Sequence, residues 1–182
     1  MKYAKRAYEL SRPLQVNKIS LGGMQDHIVA SELERQELTK RFSFVDLPRL
    51  EAFLTVERAE GHMFSVKGRI SADVVQSCVV TLEPVPVTLN ETIDVLFAPA
   101  HLIKKDNGTE ELVDIDPPEP IKGGTIDLGE LVAQHLFVAL DLYPRKKEAV
   151  FEGVKVENMV AEGKNPFKSL KKTLESSGKT NR

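Results

Sequence analysis

The residue types best suited to chemistry are few in this chain and far apart. One cysteine, Cys78, stands in CVVTLEPVPV, and four histidines are scattered at His27, His62, His101 and His135. A thiol works as nucleophile or metal ligand in its thiolate form, and a tetrahedral metal site needs several such donors at set spacings. Nothing of that kind surrounds Cys78, so it reads as a small buried side chain on the apolar face of a strand. His135 lies within an apolar helical stripe with no partner of catalytic type in sequence reach, and reads as a core histidine satisfied by a local hydrogen bond. The pairs Gly22-Gly23 and Gly123-Gly124 lack the spacing and the lysine of a phosphate-binding loop, and neither G-x-S-x-G nor H-E-x-x-H occurs. Six acidic residues fall between Asp106 and Glu119, among turn formers and without the spacing of a calcium loop, which fits a solvated loop. The expectation is a protein without catalytic residues, cofactor, metal or small-molecule substrate.

Charge points to macromolecular partners instead. The net charge of -2 hides basic ends: residues 1–18 carry five Lys/Arg against Glu9, and residues 164–182 carry six against Glu175, leaving 14 basic and 25 acidic residues between. An acidic body with basic ends is compatible with RNA contact through the ends. The candidate RNA-binding residues are Arg145, Lys146 and Lys147 in YPRKKEAVF, and Lys164, Lys168, Lys171 and Lys172 in the tail. The first three also suit the negative end of a preceding helix dipole. In NPFKSLKKTL, Asn165 caps a short helix with Pro166 at its first position, and Phe167, Leu170 and Leu174 form an apolar stripe opposite the lysines. So short a helix needs a surface to dock on, and those three residues are the candidate docking contacts.

The elements that must position these residues show as periodicity. From Val66 to Val80 every second residue is mostly apolar, and a second alternating run spans Val85 to Phe97. The short TLEP between them predicts an antiparallel hairpin, its prolines confining Val85 and neighbours to an edge or a strand start. LEAFLTVERAEGHMFSV adds a strand and a turn at Gly61. In SELERQELTKRF, Ser31 and Glu34 form a capping box, Leu33, Leu38 and Phe42 a thin apolar stripe, and Glu37 and Arg41 an exposed i,i+4 pair. IDLGELVAQHLFVALDLYPR predicts a well-buried helix with a second box at Asp127 and Glu130, its apolar arc widened by Phe137, Val138 and Leu140, stopping before Pro144. Residues 98–124 read as an acidic linker.

Together, VVQSCVVTLEPV, the acidic spacer, IDLGELVAQHLFVALDLYPR and NPFKSLKKTL resemble the YceD family of large ribosomal RNA subunit accumulation proteins, over roughly residues 15–175, in the form found in alphaproteobacteria. The resemblance implies a bacterial cytoplasmic factor needed for large-subunit rRNA to accumulate, acting in ribosome assembly with no established enzymatic activity. Many family members carry C-x-x-C at the Cys78 turn and a further cysteine downstream, a spacing suited to a thiolate metal site. Here Thr81 stands at the second position and no later cysteine follows, so the resemblance implies no zinc for this chain.

The expected fold is α+β: an antiparallel sheet, open or curled toward a barrel, packed by one long buried helix, with peripheral helices and mobile basic ends. One domain spans residues 1–163, and the basic tail with its amphipathic helix spans 164–182. No run approaches about 18 consecutive apolar residues, and MKYAKRAYEL has no apolar core behind its charges, so a soluble cytoplasmic chain is expected. Its partner is either a large-subunit rRNA precursor or early assembly particle, or, for an adaptor with an acidic body, a ribosomal protein or rRNA-processing enzyme.

Overall fold

The computed structural model describes residues 9–103 and 117–150. All their elements lie in Met1–Ala149, the first of two units into which the chain divides. In chain order these are β1 (Pro13–Gln15), β2 (Met24–Val29), α1 (Glu32–Phe42), β3 (Asp46–Arg58), β4 (Phe64–Ser77), β5 (Pro84–Pro99), β6 (Glu119–Ile121), β7 (Thr125–Asp127) and α2 (Leu128–Ala139). The boundary expected at residue 163 lies outside the described residues, as does the acidic centre of the linker.

The alternating runs become the long strands. β4 and β5 pair antiparallel from Phe64↔Phe97 to Ser77↔Pro84, and β3 pairs antiparallel with β4. Their inward side chains, among them Leu54, Val56, Val66, Ile70, Val74 and Ile93, are buried together with Leu38 of α1 and Leu131, Val132 and Leu136 of α2. Both helices therefore cover one face of the sheet. Period-two alternation leaves the opposite face polar.

The complete sheet has the order β2-β3-β4-β5-β6, with β6 parallel to the end of β5. It is open, with β2 and β6 as its two edges, which corrects the barrel-like alternative. Closure needs edge strands that pair with each other along a continuous stagger. Here β6 is only 3 residues long and pairs solely with Phe97–Pro99. The first part of β5, with Pro84 and Pro86, is consequently also an edge, which suits residues that cannot donate to a ladder. The expected linker is corrected as well, because its end contains β6 and a turn at Gly123 and Gly124, both with positive φ. β7 pairs with β1 in a separate two-stranded sheet.

The helices depart from expectation in several respects. α2 has 12 residues and buries Leu128–Ala133 and Leu136, whereas Val138 is 80% exposed. It is a short helix buried over its first half, not a long buried one, because a helix packed on one sheet presents only a stripe to it. His135 is half-buried rather than a core residue. In α1 the Ser31–Glu34 capping box forms, but Leu33 is 73% exposed and Lys40, not Arg41, pairs with Glu37. At the start of α2, Asp127 accepts from the backbone N–H groups of Gly129 and Glu130. The Glu130 side chain does not complete a box; it binds Arg41 and Gln134 instead.

The segment before β1 ties the two helix starts together. Ser11 Oγ and the Arg12 N–H both donate to Asp127, at 2.6 and 2.8 Å. The Arg12 guanidinium donates to both oxygens of Glu34, at 2.6 and 3.1 Å, and this fork lowers the Glu34 pKa to about 2.

Candidate functional site

The turn between β4 and β5 and the loop after α2 meet at one end of the sheet. Within the turn, the N–H of Cys78 donates to Glu83 O at 2.8 Å, and that of Leu82 donates back to Cys78 O at 2.9 Å. Leu82 sits in the left-handed region, φ 61°, which tightens the turn. Besides the Cys78 sulfur, three bonds stitch the loop to this end: Val79 N–H to Pro144 O at 2.9 Å, Gln76 Nε2 of β4 to Asp141 O at 2.9 Å, and Lys146 Nζ to Glu83 at 3.0 Å.

Cys78 lies at the centre of this junction. Its Sγ accepts the backbone N–H groups of Thr81 and Lys146, each at 3.5 Å, and the residue is completely buried. The reading as a small packed side chain on a strand face is thus right about burial but not about place: β4 ends at Ser77, and Cys78 opens the turn, where its sulfur also holds the turn and the loop together. Hydrogen bonding from the Thr81 side chain, then from the Lys146 and Thr81 backbones, lowers the thiol pKa to about 6, while loss of solvent opposes the shift. One thiol with Thr81 beside it is not a metal-binding set, and the described residues contain no cluster of three potential ligands.

Cys78→Ala would leave two N–H groups without their acceptor and lower the melting temperature by about 2–6 °C. Because the folded thiol is shifted down from 9.0, the part of the loss owed to ionisation should be complete above that pH and fade as pH falls through about 6. Melting curves of both proteins across this range measure it; coincident curves would show that the sulfur contributes nothing beyond its volume.

The junction presents basic and apolar side chains side by side. Arg145, Lys146 and Lys147 are all exposed, next to Leu142 and Tyr143, which are 68% and 70% exposed, and to Leu82 across the junction at 78%. Of the three cations, Lys146 is engaged by Glu83. The helix-dipole explanation fails for them: α2 ends at Ala139 with no basic residue in its last turn, and a dipole acts only within that turn. Lys164, Lys168, Lys171 and Lys172, and the docking stripe Phe167, Leu170 and Leu174, lie outside the described residues. Absent from the sequence expectation were the exposed Leu82 of the turn and Leu142 and Tyr143 of the loop, for which apolar residues flanking two turn signals were the only cue.

A half-open pocket of about 690 Å³ lies between β1, β6, β7 and α2, bordered by Phe97, Glu119, Lys122, Asp127, Glu130 and Gln134. Of its three carboxylates, Asp127 is committed to the helix start and Glu130 to Arg41, while Glu119 stands on β6.

A family model described as "Large ribosomal RNA subunit accumulation protein YceD" matches residues 66–173, which takes in the hairpin, α2 and the whole junction. No curated protein and no solved structure matches the chain.

Proposed function

The chain belongs to the YceD family, and on that premise we propose that it supports accumulation of large-subunit rRNA without catalysing a reaction, by binding an rRNA precursor or an early assembly particle. The contacts we assign to it are Arg145 and Lys147 at the junction and, as a separate segment of the chain, the tail lysines Lys164, Lys168, Lys171 and Lys172. The observation that supports this reading is the position of Arg145 and Lys147: exposed, beyond the reach of the helix dipole and beside the exposed Tyr143. Cations there serve no evident purpose in the fold, whereas cations beside an aromatic ring suit single-stranded RNA. A second reading, a protein adaptor, is favoured by the apolar Leu82 and Leu142 at the same junction. No helix among the described residues is long and apolar enough to cross a membrane.

Salt dependence separates the two readings. For RNA contact, log K falls with log salt, and the slope shrinks by about 0.7 on single strands for every phosphate that a variant no longer neutralises. Arg145→Ala with Lys147→Ala should therefore flatten the slope by about 1.4 units, by similar amounts for unrelated sequences, because point charges position a backbone without reading bases. The tail substitutions Lys168→Ala, Lys171→Ala and Lys172→Ala should act the same way. Unchanged RNA affinity in all of these variants, with a protein partner retained after nuclease treatment, would give the adaptor reading the lead.

A further inference from the structure

The helix-free face of the sheet carries a row of side chains that the junction does not use. Register places His27, Phe53, Arg69 and Thr92 directly beside one another on β2, β3, β4 and β5. The His27 and Phe53 rings are stacked, with centroids 3.9 Å apart and planes 6° from parallel. Phe53 is 58% exposed in spite of its size, and the His27 side chain is 45% exposed on the edge strand. Both helices pack on the other face, and no described element covers these rings.

The flanking rows are polar apart from Val29, and their charges are nearly all paired. On one side stand Gln25, Thr55, Lys67 and Asp94, with Lys67 and Asp94 paired at 3.2 Å. On the other stand Val29, Glu51, Ser71 and Asn90, where Val29 is exposed, Glu51 is held by Arg49 at 2.6 Å and lies 3.7 Å from His27 Nε2, and Ser71 donates to Asn90 at 2.9 Å. Across these three rows, every carboxylate already has a cation, and Arg69 has no carboxylate partner among the described residues. The centre of the face is therefore an exposed aromatic stack beside Arg69, which has no carboxylate partner among the described residues, flanked by paired charges, hydroxyl and amide groups and the exposed Val29.

We propose that this sheet face is a stacking platform for single-stranded RNA, with one or two bases on the His27–Phe53 stack and Arg69 against the adjoining phosphate. The chemistry favours a nucleic acid strand over a protein. Bases offer flat π-faces to an aromatic ring at little cost in sequence preference, and exposed bases are what an open sheet with aromatics on its surface can hold. The Arg69 charge has the sign that phosphate requires. This site is distinct from the basic junction, though it rests on the same RNA-binding reading.

The test uses the full chain and a uridine oligomer about twelve nucleotides long, a length within the usual range for one such module. Phe53→Ala should weaken binding about tenfold while leaving the salt slope unchanged, because stacking releases no counterions. Phe53→Trp should retain wild-type affinity, which a loss of folding would not allow. Arg69→Gln should weaken binding and reduce the slope by about 0.7, the value for a single phosphate. Binding that survives Phe53→Ala but falls in the Arg145→Ala, Lys147→Ala protein overturns the platform and leaves the junction standing; the converse pattern supports the platform and removes the junction. A wild-type chain that does not bind the oligomer, or a Phe53→Ala protein that loses a nuclease-resistant protein partner instead, also overturns the platform, the latter in favour of a protein-docking face.

Discussion

Arg41→Met is expected to destabilise the protein by about 3–5 kcal/mol, the largest loss for any single charge in the described residues. The Arg41 guanidinium meets Glu130 in a fork, both nitrogens at 2.7 Å from the two carboxylate oxygens, and also donates to Glu9 at 2.9 Å. Glu130 is only 7% exposed at the start of α2, and its bond to Arg41, together with Glu9, raises the arginine's pKa further above its ordinary value. Removing the cation leaves a carboxylate shielded from water with Gln134 as its remaining donor. An exposed pair would be worth no more than about 1 kcal/mol, so the measured loss distinguishes the two regimes. Arg41→Met combined with Glu130→Met should recover most of the stability, since neither charge is then stranded. Urea unfolding of the three variants measures this; equal losses in the single and double variants would show that packing, not charge, accounts for the effect.

Gly68→Val should be more damaging still to the sheet, with a loss of more than about 3 kcal/mol or failure to fold. A Cβ at Gly68 would lie 2.1 Å from the Phe53 carbonyl oxygen and 2.7 Å from Leu54 Cδ2. The first contact is with backbone and cannot be relieved by a rotamer change. β3 and β4 approach each other closely here because position 68 has no side chain, and Gly68 pairs with Leu54 in the register row next to Phe53 and Arg69. Gly68→Ala, if it folds, should show disturbed amide resonances along both strands and weaker RNA binding. A melting temperature within a degree or two of wild type would show that the strands separate here at little cost.

The long strands were legible because alternation is a local property. A side chain's face follows from its neighbours two residues away, so the pairing of β4 with β5 and the inward set from Val66 to Val74 could be read directly. The Ser31–Glu34 box was legible for the same reason: both partners lie within one turn of helix. The family resemblance, carried by the hairpin and α2 motifs, also needed only the sequence.

What the tertiary structure decided are the partners of long, charged or sulfur-bearing side chains. Glu37 was within reach of Arg41 on the same helix, yet Arg41 binds Glu130, 89 residues away, because a buried carboxylate at the start of α2 holds a cation more strongly than an exposed one does. That same bond takes Glu130 from the box that its spacing with Asp127 predicted. Cys78 accepts from Lys146, 68 residues on, and so is a junction rather than a packed methyl-sized group. Alternation puts Phe53 with Glu51 and Thr55 on the polar side of its strand but could not bring His27 against it, since β2 is six residues long and its register with β3 depends on the assembled sheet. Local periodicity assigns each side chain to a face; only the packed chain determines which neighbour it meets there, because that choice is made by competition between partners far apart in sequence.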